Sequence, residues 1–339
     1  MKIKRILTVL LSAAMLAAVS VPALAADTAV SDPVVIAAPT AVSAYRLEAK
    51  AAVTALNLTA AHPYVLVKTE AGQALQLNLS DATAVLDTQT GLAVARSAIR
   101  VGESVYVYYS PAMTASLPAQ SACEAIVVHL DANHAPAHLL TVESAENNVD
   151  GSVTVLTDNG GLQLTVSADA AVTPYLTKNI VTIADLRMGQ RFFAWYDAVA
   201  ASYPGQATAA KAVLLPPADN AKLIMLREGD IAIGEAKIEN GVVLVPLRKA
   251  AEALGFTVTW NAQERDVHLT NGTVQTVVVP GEDSYYMATA IPGAVGMSAP
   301  EALGAAAYVV NGVTWAPAEL LNLLLGSGTV TLRGTSLYL

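Results

Sequence analysis

Three histidines within ten positions, His129, His134 and His138, with Asp131 among them, are the residues best typed to hold a metal ion. Neutral imidazole is a common ligand. A helix would bring His134 and His138 onto one face, but Pro136 stands between them and blocks it. The stretch therefore reads as a solvated linker, and the three histidines remain the metal candidates. Asn147-Asn148-Val149-Asp150-Gly151 and Asp158-Asn159-Gly160 have the composition of calcium loops. They lack the twelve-residue spacing and closing glutamate of such loops, so they read as turns between strands. Cys123 is the single cysteine and sits in an apolar run, which suits an inert core thiol and rules out an intrachain disulfide. Serine-nucleophile elbows, phosphate-binding glycine loops and His-Glu-x-x-His zinc motifs are absent from the sequence. Glu282 and Asp283 could meet in a cleft as hydrolytic carboxylates, although solvated loop acids are the default reading. No catalytic residue and no cofactor is expected.

Aromatic residues form the next group. Tyr106, Tyr108, Phe193, Trp195 and Tyr196 could stack on sugar rings or bases, but they lie in strands apolar on both faces, which favours packing. Their positions expose an internal repeat of about 87 residues. Arg100-Val101-Gly102 aligns with Arg187-Met188-Gly189, and Val105 to Tyr109 with Phe192 to Tyr196. Leu75-Gln76-Leu77 aligns with Leu162-Gln163-Leu164, and Pro118-Ala119-Gln120 with Pro204-Gly205-Gln206 after a one-residue slip. Short β-rich runs separated by turn residues predict two small barrels or sandwiches over 45–131 and 138–217, of oligonucleotide-binding-like type.

A second repeat has a period of 71 residues. Asn240-Gly241-Val242-Val243-Leu244-Val245-Pro246 aligns without a gap on Asn311-Gly312-Val313-Thr314-Trp315-Ala316-Pro317, and Gly255 on Gly326. Asn-Gly predicts a tight hairpin turn. Pro246 is placed as a first-turn helix residue. Leu247, Ala250, Ala251 and Leu254 recur at helical spacing as one apolar face, and Gly255 supplies a left-handed stop. Val258 and Trp260 then alternate onto one strand face, with Trp260 expected in the core against the two alanines. Leu332 takes the corresponding place in the second copy and is expected to tolerate truncation better. Two copies predict one α+β domain over 222–339.

The run Asn240 to Arg248, with Glu252-Ala253-Leu254-Gly255 and Val258-Thr259-Trp260-Asn261, resembles the copper amine oxidase N-terminal-like or stalk domain, a module of secreted Gram-positive proteins. The resemblance covers roughly residues 223–325. In the second copy, Ala316, Ala318 and Glu319 replace the Val, Leu and Arg of the Val-Pro-Leu-Arg signature. In the oxidases, copper and the quinone cofactor belong to a separate catalytic domain. The resemblance therefore implies a non-enzymatic module. Arg248, the one charged residue inside its Pro-Leu-Arg run, reads as a structural hydrogen-bonding residue at the helix start rather than a ligand contact. Neither bound copper nor amine oxidase activity is expected.

Composition sets the compartment and the partners. Lys2, Lys4 and Arg5, the apolar run Ile6 to Val19 and Ala23-Leu24-Ala25 read as a signal peptide over 1–25, cleaved after Ala25. Residues 26–44, rich in Ala, Pro, Val and Thr, read as a flexible leader. Loss of the three basic residues would move the formal charge from −9 to −12, which argues against nucleic acid. Charged residues make up 14% of the chain against about 25% in an average domain, so large surfaces can be buried. The longest other apolar stretch, Ala305 to Leu325, is broken by Asn311, Gly312, Pro317, Glu319 and Asn322, so no membrane span is expected after cleavage. The expectation is a secreted or cell-wall-associated binding or structural module whose partner is a cell-wall polymer or another envelope protein. The alternative is a cell-wall polymer hydrolase with an unrecognised carboxylate site.

Overall fold

The computed structural model describes residues 46–131, 135–176, 180–217 and 222–339. The expected signal peptide, the leader and His134 lie outside the described residues. The described chain is mostly strand, with two α-helices.

The first six strands are β1 (Leu47–Asn57), β2 (Tyr64–Thr69), β3 (Ala74–Asn78), β4 (Ala84–Asp87), β5 (Ser104–Met113) and β6 (Ala119–Val128). Their order is β3-β2-β1-β5-β6-β4, and β3 also pairs with β6, so five strands close into a ring. The closing pair is parallel, with Leu75 opposite Ala119 and Leu77 opposite Ser121. This is the connectivity expected of an oligonucleotide-binding-like barrel. Val65, Val67, Leu75, Leu77, Val105, Val107 and Ile126 fill its interior. They are the alternate residues of their strands, as a one-sided interior requires.

The next six are β7 (His138–Thr141), β8 (Ser144–Asn147), β9 (Val153–Thr157), β10 (Leu162–Pro174), β11 (Arg191–Ala194) and β12 (Gly205–Leu214), in the order β7-β11-β12-β10-β9-β8. Leu162 lies opposite Gly205 in a parallel pair, the same relation as Leu75 to Ala119. β7 and β8 are two halves of one stretch of chain interrupted at Val142-Glu143. Both sheets use their second face as well. Tyr108 and Phe193 are fully buried in one cluster with Leu86, Val127, Leu139 and Val213, and Tyr106 and Trp195 pack on it. The strands are apolar on both faces because one face fills a barrel and the other packs against the neighbouring sheet.

The remaining elements are β13 (Lys222–Glu228), β14 (Ile231–Glu239), β15 (Val242–Pro246), α1 (Leu247–Ala253), β16 (Thr257–Asn261), β17 (Asp266–Thr270), β18 (Val274–Val278), β19 (Ala288–Thr289), β20 (Tyr308–Val310), β21 (Val313–Pro317), α2 (Glu319–Leu325), β22 (Thr331–Arg333) and β23 (Ser336–Tyr338). A seven-stranded sheet runs β20-β21-β15-β14-β13-β23-β22, and a four-stranded sheet runs β16-β17-β18-β19. One core joins both sheets to both helices through Val243, Val245, Ala250, Ala251, Val258, Leu269, Leu320 and Leu324. The two Asn-Gly turns take matching positive φ angles, 50° and 80° at Asn240 and Gly241 and 52° and 75° at Asn311 and Gly312.

Three expectations are corrected here. Pro246 ends β15 and caps the helix, which begins at Leu247. Trp260 is 47% exposed, whereas its counterpart Leu332 is 2% exposed and belongs to the core. The reason lies in what covers each strand. β16 stands at the edge of the four-stranded sheet, where Val258 is buried with its carbonyl bonded to Arg248 while Trp260 is left half exposed. β22 pairs with β23 and meets the second β unit, where the Leu332 N–H donates to the Glu143 carbonyl, so Leu332 is enclosed.

Candidate functional site

The exposed Trp260 lines a cleft. β16 places Val258 and Trp260 on one wall, with Val267 of β17 opposite Trp260 in the antiparallel pair. The β20–β21 hairpin supplies the other wall through Val309, Gly312, Val313, Thr314 and Trp315. Arg248, Lys249 and Glu252 of α1 line it, together with Pro246 and Glu235. The cavity volume is about 750 Å³, within the ~300–1,000 Å³ typical of ligand sites. Val309 and Val313 on the hairpin wall are 46% and 40% exposed and Trp260 faces them half exposed, so apolar surface meets solvent on both walls.

The polar groups divide into committed and open ones. The Arg248 guanidinium donates to the Val258 carbonyl and pairs with Glu252 at 3.1 Å. Lys249 donates to the Ile233 carbonyl at 2.8 Å. Lys237 lies 4.6 Å from the centre of the Trp315 ring and 4.8 Å from that of Tyr308, and pairs with Glu239. Burial lowers the Lys237 ammonium pKa, but Tyr308 and Glu239 beside it outweigh that and leave it raised. Glu235 makes no ion pair or hydrogen bond among the described residues, and the same holds for the indole N–H groups of Trp260 and Trp315. Trp195, by contrast, donates its N–H to the Thr88 carbonyl at 3.0 Å.

The residues singled out in the sequence are scattered. His129 lies just beyond β6 and pairs with Asp87 at 2.9 Å. His138 opens β7 and stacks on Tyr196 with ring centres 4.4 Å apart. Burial lowers the His138 pKa. Among the described residues, no three His, Cys, Asp or Glu side chains are placed to hold a metal ion together. Cys123 is buried, and desolvation pushes its thiol pKa far up. Asp283 accepts hydrogen bonds from the Leu303 and Gly304 N–H groups at 2.7 and 3.1 Å, so it braces a loop.

Two carboxyl groups missed in the sequence carry the largest acid shifts. Glu143, at the β7–β8 break, is fully buried and accepts hydrogen bonds from the Asn159 and Gly160 N–H groups at 2.6 and 2.8 Å. Desolvation outweighs these bonds and raises its pKa to about 7. Glu319, at the start of α2, is likewise raised to about 7 by desolvation, with the Asn322 side chain and the Ala145 N–H pulling the other way. Both lie where β7–β8 meets the C-terminal unit. The Leu332 N–H donates to the Glu143 carbonyl, and Ser327 donates to the Ala145 carbonyl. Neither carboxyl group lines the cleft.

The described chain is thus a mostly β protein of two barrel-like sheets and an α+β part that carries an open aromatic cleft. Residues 231–329 match the family model of the Copper amine oxidase N-terminal domain, so the expected stalk-like domain is present there. The match is to that N-terminal domain and not to the oxidase catalytic domain. A curated relative, a "Protease inhibitor" of Brevibacillus choshinensis, is 35% identical over 83 residues, which is 24% of this chain. The chain spans about a quarter, 23%, of that relative's length. A solved structure, drosophila Unr CSD456, aligns over 69% of this chain and 91% of its own with 11% identity and a TM-score of 0.17, too low to carry an argument. Among the described residues no helix is long and apolar enough to cross a membrane.

Proposed function

We propose that this chain is an exported, non-catalytic binding protein of the cell envelope, and that the cleft between β16 and the β20–β21 hairpin is its contact surface. The observation that carries the reading is Trp260. A large aromatic side chain stands half exposed over a cavity, where a core role would have buried it. Exposed aromatics in concave apolar surface are the residues that anchor binding. The match to an N-terminal domain, and the likeness to a protein named as a protease inhibitor, support the non-catalytic part. Export rests on the basic, apolar and small-residue pattern of residues 1–25.

Cosedimentation with purified Gram-positive cell envelopes tests the surface. The full chain is expected to sediment with them, and Trp260→Ala to remain in the supernatant with an unchanged melting temperature. Equal sedimentation of both would remove the cleft from the function. Mass spectrometry of protein recovered from culture medium tests export, with Ala26 expected as the first residue and an intact Met1 counting against it.

A further inference from the structure

We infer that the ligand of this cleft is an uncharged glycan, a short run of neutral pyranose units; the inference rests on the cleft being the contact surface. The open groups carry the argument. Of the three tryptophans in the chain, Trp195 has its N–H satisfied internally, whereas Trp260 and Trp315 line one cleft and neither N–H has a hydrogen-bond partner among the described residues. Glu235 adds an exposed carboxylate acceptor in the same state. Thr314 adds a hydroxyl, and the exposed apolar lining is Val309 and Val313.

Charge selects among ligands. Arg248 and Lys249 balance Glu235 and Glu252, and both cations are already engaged with carbonyls or Glu252. A phosphate or carboxylate polymer needs a surplus of cations to replace its hydration, and a lining of two cations and two carboxylates supplies no surplus. A purely apolar side chain would desolvate Glu235 without pairing it, at a cost. A neutral pyranose fits both demands. Its C–H face lies against an indole ring, and its hydroxyls accept from indole N–H groups and donate to a carboxylate.

Titration calorimetry of the full chain against neutral hexasaccharides tests this, using β-1,4-linked glucose, β-1,3-linked glucose and β-1,4-linked N-acetylglucosamine. Saturable binding of at least one is expected, little changed by added salt. Trp260→Ala and Glu235→Gln should each weaken it by at least about tenfold while melting like the parent. Both side chains are exposed, so neither change threatens folding. Sugar binding that both variants retain overturns the assignment. If no sugar binds but an extended apolar peptide does, in a Trp260-dependent way, the ligand class is wrong and the contact surface stands. If no sugar binds and parent and Trp260→Ala hold equally to whole envelopes, both fall.

Discussion

At the scale of single residues, two aligned positions carry opposite roles. Trp260 and Leu332 sit in matching places of the 71-residue repeat, yet the tryptophan faces solvent and the leucine is enclosed with Val243 and Val245. Removing Leu332 leaves a cavity where its neighbours cannot collapse, so Leu332→Ala should cost about 2–5 kcal/mol. Trp260→Ala removes a side chain that is half in water already and should cost less than about 1 kcal/mol. Urea unfolding of the two variants checks the order, and a larger loss for Trp260→Ala would restore it to the core. The sequence could not show this difference, because alternation says which face a strand residue takes and not which distant element covers it. Glu143 was illegible for a related reason. Its partners, the Asn159-Gly160 turn and Arg333, are near it only after the chain has folded.

Among elements, the turns and strand faces were the readable part. Asn240-Gly241 and Asn311-Gly312 announce their hairpins because few residues tolerate positive φ in succession. The apolar alternation of Val105 to Tyr109 and Phe192 to Tyr196 keeps one register in both units. Val107 and Ala194 point into the barrels, while Tyr108 and Phe193 meet in the shared cluster. What stayed hidden was pairing between distant strands, which no local pattern encodes, such as β13 with β23. The two turns also differ in their surroundings. A Cβ added at Gly241 would stand 2.8 Å from the Pro217 Cβ, while one added at Gly312 would meet nothing within 4 Å. Both glycines have positive φ, so alanine at either costs roughly 1 kcal/mol of backbone strain. Gly241→Ala adds a clash of about 1–3 kcal/mol. Chemical unfolding should rank Gly241→Ala well below Gly312→Ala in stability. Equal losses would mean that the β14–β15 turn does not rest on Pro217.

Over the whole molecule, the contact between the second β unit and the C-terminal unit should respond to pH. Glu143 and Glu319 both lie at this contact, and burial raises each from an ordinary 4.5 to about 7. Around Glu143, Arg333 favours the charged form and Asp158 opposes it; around Glu319, Arg187 and Glu301 play the same parts. A raised carboxyl pKa means that the folded chain holds protons which the unfolded chain has released. The associated stability is complete below about pH 4.5 and is lost as pH rises through about 7. Each group can contribute on the order of 3 kcal/mol over that window, as an upper bound. His138 works against this trend. Burial lowers its pKa, so its contribution grows as pH rises toward the ordinary histidine value. The clean observable is therefore a difference between proteins. From pH 5 to pH 8, the parent should lose melting temperature relative to Glu143→Gln/Glu319→Gln, whose neutral amides cannot ionise. Protection of the Leu332 amide from hydrogen exchange, which reports the bond to the Glu143 carbonyl, should fall in the parent over the same range. Parallel melting curves for parent and double variant across this range would mean that the two carboxyl groups titrate as ordinary surface acids. The contact between the units would then be held by packing alone.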